Sequence, residues 1–171
     1  LMKHLKTFSD PLYPEEWYEI KTREAARVIM MDENWLFPII YAENFDYYKI
    51  PGGWVDEWED YLEEAKREAM EECGCEVEIL WEVWKIDEEK WVTNYKWEHN
   101  IHQISYCFYG RITSKWDTNF SWLEIKEWFK LLWLPYDEAI ERFKNCKPQH
   151  NQWIFMNNRD KIFLEEWYKL L

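Results

Sequence analysis

Glycine is nearly missing from this chain. Only 4 of its 171 residues are Gly, where ordinary usage of about 7% would supply roughly 12. Proline is also sparse, at 6 residues, so no composition shift marks a linker or a domain boundary. Repeats and low-complexity tracts are absent, and the sequence reads as one domain over 1–171, with residues 1–20 as an N-terminal extension. Positive charge is scarce as well: 21 Lys and Arg stand against 34 Asp and Glu, a net charge of −13. That balance excludes a general electrostatic grip on nucleic acid or anionic lipid. It leaves room for an anionic substrate held through a divalent metal. No apolar run approaches the roughly 20 residues of a membrane span, and Leu1–Asp10 lacks the apolar centre of a signal peptide. Cysteine is limited to 4 residues, and Cys73 and Cys75 are too close in sequence to bridge easily. A reduced, cytoplasmic protein is expected.

Tryptophan is in surplus, with 14 residues. Several occupy polar, turn-like settings: Trp35 in Asp-Glu-Asn-Trp, Trp54 after Pro-Gly-Gly, Trp58, Trp116 and Trp153. A hairpin turn such as the one at Trp35 asks for Asn-Gly, because Gly takes positive φ without steric cost and Trp does not. One reading is that many of these codons are UGA, read as glycine in the source organism. Returning roughly 8–10 of the 14 to glycine restores ordinary usage. The other reading is a genuinely Trp-rich protein with an aromatic binding surface.

Ala25–Met31 and Leu36–Ala42 read as strands, with Pro38 suggesting an edge or a bulge. Tyr47–Ile50 reads as a short strand and Pro51-Gly52-Gly53 as a turn. Glu59–Cys73 is a helix by composition, closed by Gly74. Val77–Ile86, Ile101–Ile112 and Phe129–Leu134 read as strands. Helices are expected over Asp137–Asn145 and at the C-terminus, where Asp160–Leu171 reads as helix within a C-terminal helix placed over 151–171. Strands on both sides of a central helix, with helices at the end, make an α/β or α+β sandwich.

The stretch Gly53–Cys75 carries the chemistry. Glu68, Glu71 and Glu72 fall at i, i+3 and i+4 of the expected helix, so their carboxylates share a face and repel one another. A solvated acidic face is the bland reading. The preceding Pro-Gly-Gly turn favours another, because it brings backbone carbonyls to the same face. Carboxylate and carbonyl oxygens suit a hard divalent cation.

The stretch resembles the Nudix box, G-x5-E-x7-R-E-U-x-E-E-x-G-U, where U is apolar. Gly53, Glu59, Arg67, Glu68, Glu71, Glu72 and Gly74 fill its fixed positions, and Ala69 and Cys75 fill the apolar ones. The resemblance implies a Nudix-type α/β/α sandwich with a mixed sheet and the box as loop-helix-loop. It implies an enzyme, a pyrophosphohydrolase that cleaves a nucleoside diphosphate linked to another moiety, using Mg²⁺ or Mn²⁺. Glu68 and Glu72 would be the principal metal ligands, Glu71 would serve a further metal or a water, and the Gly52 carbonyl would complete the set. Arg67 and Glu59 would orient the ligand carboxylates. The general base would come from a later loop, with Glu124 or Glu127 as candidates. A catalytically silent nucleotide-binding or regulatory module is the alternative.

Other residues carry weaker signals. Cys73 and Cys75 lack a second pair at zinc-site spacing. His99 and His102, and Arg23 and Arg27, have structural readings beside a substrate-contacting one, as do Tyr47, Tyr48 and Tyr106. The segment Glu88–Val92 has neither the proline nor the tyrosine of some Nudix subgroups. That leans weakly towards a nucleoside triphosphate or modified nucleotide and leaves nucleotide sugars and capped RNA open. The expected partner is thus a small nucleotide-type molecule, with no membrane or nucleic acid, as monomer or homodimer.

Overall fold

The computed structural model describes residues 2–94, 97–116 and 128–171. A five-stranded mixed sheet forms from β1 (Lys3–Ser9), β2 (Ile20–Met31), β5 (Gly52–Val55), β6 (Cys75–Asn94) and β7 (Trp97–Lys115). Its order is β1-β6-β7-β2-β5. β1 runs parallel to β6 and β2 parallel to β7, while β6–β7 and β2–β5 are antiparallel. A second, antiparallel sheet of order β4-β3-β8 holds β3 (Phe37–Ala42), β4 (Tyr47–Lys49) and β8 (Phe129–Leu134). Three helices are described: α1 (Tyr61–Cys73), α2 (Tyr136–Asn145) and α3 (Asn151–Tyr168).

Alternation along β2 separates two cores. Ala26, Val28 and Met30 meet Ala65, Ala69 and Cys73 of α1. Ile29, on the opposite face, shares a core with Trp84, Ile86 and Phe163, Leu164 and Trp167 of α3. Helices therefore cover both faces, as the expected sandwich requires.

α1 begins two residues later than its composition suggests. The Asp60 carboxylate accepts from the Leu62 and Glu63 N–H groups and fixes the first turn there. The helix ends where Gly74 takes a left-handed conformation, its N–H donating to the carbonyls of Ala69 and Met70. Three other expectations change. Residues 1–20 contain a strand, β1. Gly52 and Gly53 belong to β5 rather than only to a turn. The C-terminal helix starts at Asn151, the first residue of the helix expected over 151–171, and so extends the narrower Asp160–Leu171 reading by nine residues at its start. Pro38 lies in the middle strand of its sheet, yet β4 reaches only Ile40–Ala42, so the side away from β8 is open at Pro38. All four cysteines are free thiols.

Trp35 and Trp128 have φ of 63° and 58°. Trp35 closes the β2–β3 turn with its N–H on the Asp32 carbonyl at 3.1 Å. Both are glycine-like backbone positions, and both side chains are exposed. Trp54, Trp58 and Trp116 have no such φ; for them the case for glycine rests on 61%, 92% and 56% exposure, unusual for a residue that is highly buried on average. Trp35→Gly is expected to relieve about 1–2 kcal/mol of left-handed strain, raising the melting temperature by a few degrees. A fall in melting temperature would count against glycine there. UGG codons at 35, 54, 58 and 116, together with 128, would refute the recoding.

Candidate active site

The Pro51-Gly52-Gly53 segment is drawn into the sheet. The Pro51 carbonyl accepts from Val28 N–H at 3.0 Å, and β5 pairs with β2. β5 lies against β2 on one side and meets the Glu68 side chain of α1 on the other. A Cβ on Gly53 would stand 2.0 Å from Glu68 Oε1, and one on Gly52 would stand 2.2 Å from the Ala26 carbonyl. At Gly52 the neighbour is backbone, so glycine is a steric requirement of the β2–β5 approach; at Gly53 a larger residue would displace the Glu68 carboxylate.

Glu72 is fully buried. Its Oε1 accepts from Gly52 N–H at 2.7 Å, and its Oε2 is 2.5 Å from Lys49 Nζ. Oε2 has no well-aligned hydrogen bond beyond this ion contact. Burial pushes the Glu72 carboxyl up to about 7 against the pull of Lys49, with Glu68 adding to the rise. Burial raises Glu68 too, opposed by Lys49, Arg27 and Arg67. The Gly52 carbonyl is already engaged: Arg27 Nη1 donates to it at 2.6 Å and Lys49 Nζ at 3.3 Å. Spacing alone gave no sign that Lys49 and Arg27 would meet this carbonyl.

Arg67 braces the outer face. It donates to Glu71 at 2.8 Å and through Nε and Nη2 to buried Glu64, and lies 3.7 Å from Glu68 Oε1. Glu64 was not singled out by the sequence, although its place three residues before Arg67 on α1 was a usable signal. Glu59 is exposed and accepts from Asp56 N–H at 3.1 Å. Glu68, Glu72 and the Gly52 carbonyl are thus neighbours, while Glu71 and Glu59 stand to the outside. Glu124 and Glu127 lie outside the described residues.

A family model for the NUDIX domain matches residues 21–154. The chain belongs to this family. It is by that membership a Nudix hydrolase. Among solved structures it is similar to a NUDIX hydrolase from Nitrosomonas europaea, at 13% identity and a TM-score of 0.53, covering 87% of this chain and 91% of that one. At that identity the likeness speaks for the fold. No curated protein matches the chain. Among the described residues, no helix is long and apolar enough to cross a membrane.

The Nudix box can be tested for its fit to a metal. Among the described residues, no group of three or more His, Cys, Asp or Glu side chains is gathered to hold an ion. What the Nudix helix presents is two carboxylates, Glu68 against Gly53 and Glu72 on the Gly52 N–H, with the Lys49 ammonium touching both Glu72 and the Gly52 carbonyl. The donors are oxygen and the carboxylates repel each other, so the set fits a hard divalent cation in kind. Lys49 and Arg27 supply the positive charge on two of those three groups.

The forked grip of Arg67 gives a prediction. Arg67→Lys keeps a charge beside Glu64 but cannot hold Glu64 and Glu71 together. Turnover is expected to fall about tenfold, while stability in urea changes by less than about 1 kcal/mol. Parallel loss of both would make Arg67 a purely structural brace.

Proposed function

We propose that this Nudix hydrolase is a metal-dependent pyrophosphohydrolase. Its substrate is a nucleoside diphosphate linked to another moiety, with a nucleoside triphosphate or modified nucleotide favoured. The observation that carries this reading is the packing of the Glu68 carboxylate against Gly53, beside Glu72 and the Gly52 carbonyl, on the helix that bears the complete box. In the reaction a water oxygen forms a bond to phosphorus, the bridging P–O bond breaks, and the departing phosphate takes the electron pair. A divalent ion held by Glu68, Glu72 and Gly52 would lower the pKa of water and neutralise phosphoryl charge. Within the chain, Arg67 holds Glu64 and Glu71 in place, and the close glycines fix where Glu68 stands.

A catalytically silent module is favoured by one observation: the Lys49 ammonium on Glu72 and the Arg27 guanidinium on Gly52 already balance the acidic pair. A panel of nucleoside triphosphates and diphosphate-linked nucleotides, assayed for phosphate or pyrophosphate release with Mg²⁺ and with Mn²⁺, separates the two. Metal-dependent release from one of them is expected. No release from any, with the nucleotides bound, would establish the silent module.

A further inference from the structure

β5 is the edge strand of the five-stranded sheet. Gly53 faces Glu68 on α1. The next residue, Trp54, alternates to the other face, and there it borders a cavity of about 560 Å³. The cavity lies between β2, β6, β7 and the first turns of α3. Arg23, Lys21, Lys90 and His99 enter its wall, together with apolar surface from Trp153 and Met156, and among the described residues no Asp or Glu lines it. In a chain of net charge −13, a pocket walled by cations without carboxylates is a departure from the overall balance.

The cations are held in place from behind. Lys90 is 1% exposed, and its Nζ donates to Glu88 at 3.3 Å. Glu88 also accepts from Arg159 at 2.9 Å, so one carboxylate serves two buried cations. Arg23 has a neutral partner: its Nε donates to Gln103 Oε1 at 2.6 Å. Its guanidinium lies 4.5 Å from the Trp54 ring centroid. Among the described residues no carboxylate stands within ion-pair distance of Arg23. Burial, outweighing the attraction of Glu88, lowers the Arg23 pKa to about 10, and lowers that of Lys90 to about 8. An oxyanion would give Arg23 a counter-charge that no described residue supplies at ion-pair distance, through a forked contact.

We propose that this cavity binds an oxyanion carried on a flat apolar body, with Arg23 and Lys90 contacting the anion and Trp153 and Met156 the body. This rests on the hydrolase reading only in assigning that group to the part of the substrate remote from Glu68. The substrate then carries a phosphate or carboxylate beyond the anhydride that is cleaved.

Binding in EDTA tests the cavity independently of catalysis. AMP and benzoate serve as phosphate and carboxylate probes, adenosine as the neutral body and inorganic phosphate as the anion alone, each followed by calorimetry and by thermal shift. AMP or benzoate is expected to bind about tenfold more tightly than adenosine or inorganic phosphate. Which of the two binds more tightly identifies the oxyanion. Arg23→Gln is expected to remove that preference, Arg23→Lys to restore part of it, and Lys21→Gln, at an exposed position, to weaken it in a chain that melts like the wild type. Glu68→Gln is expected to leave it unchanged. Equal binding of adenosine and AMP with no benzoate binding, or an AMP preference lost in Glu68→Gln but kept in Arg23→Gln, would overturn the proposal. Absence of hydrolysis in the metal assays would leave these binding results standing, so the two readings fail separately.

Discussion

Glu88→Gln is expected to destabilise the fold by about 3–5 kcal/mol, the cost of leaving buried cations without their counter-charge. Glu88 is completely buried between Arg159 and Lys90. The amide keeps the size of the side chain, so the loss reads charge rather than packing. Arg159 retains Asp160 at 2.7 Å, whereas Lys90 loses its only ion pair among the described residues. Denaturant unfolding measures the difference, and a change below about 1 kcal/mol would place the network among surface-like ion pairs.

The same carboxylate gives an acid signature. Burial pushes the Glu88 pKa up, but Arg159 and Lys90 outweigh it and hold it at about 2, below its ordinary 4.5. A depressed folded pKa means that the unfolded chain binds more protons between these values. The stabilisation from Glu88 is therefore present above pH 4.5 and lost as pH falls towards 2. Wild type and Glu88→Gln should converge in stability across that window. A gap that stays constant would contradict the assignment.

This network shows where the sequence stops being legible. Glu88, Glu89 and Lys90 lie beyond the Val77–Ile86 strand that the sequence suggests, and only the fold brings Arg159 from 71 residues away onto Glu88. β1 is hidden in the sequence for a related reason. Lys3–Ser9 is mostly exposed and polar, and its place depends on pairing with β6 rather than on a hydrophobic pattern of its own. Short-range chemistry was readable: Gly74 ends α1, and Arg67, Glu68, Glu71 and Glu72 fall on one helix by spacing. The cations Lys49 and Arg27 were not, since each reaches Gly52 from a different strand.

Lys49 also alters what a substitution at Glu72 would mean. Glu72→Gln would relieve repulsion with Glu68 but leave buried Lys49 without its partner, so activity and stability would change together. Glu68 is the cleaner position. It lies against Gly53 and, among the described residues, has no ion pair closer than 3.7 Å. Glu68→Gln preserves shape and removes one negative charge from the pair, so the fold is expected to be unharmed while metal-supported turnover drops.

The decisive measurement is Mg²⁺-dependent turnover of wild type and Glu68→Gln on whichever nucleotide the panel shows to be cleaved, with the melting temperature of each recorded without metal. A loss of at least ~10²-fold in turnover, about 2.7 kcal/mol of barrier, at an unchanged melting temperature is the result predicted here. Wild-type turnover in Glu68→Gln would contradict the central claim that this face of α1 carries the hydrolysis.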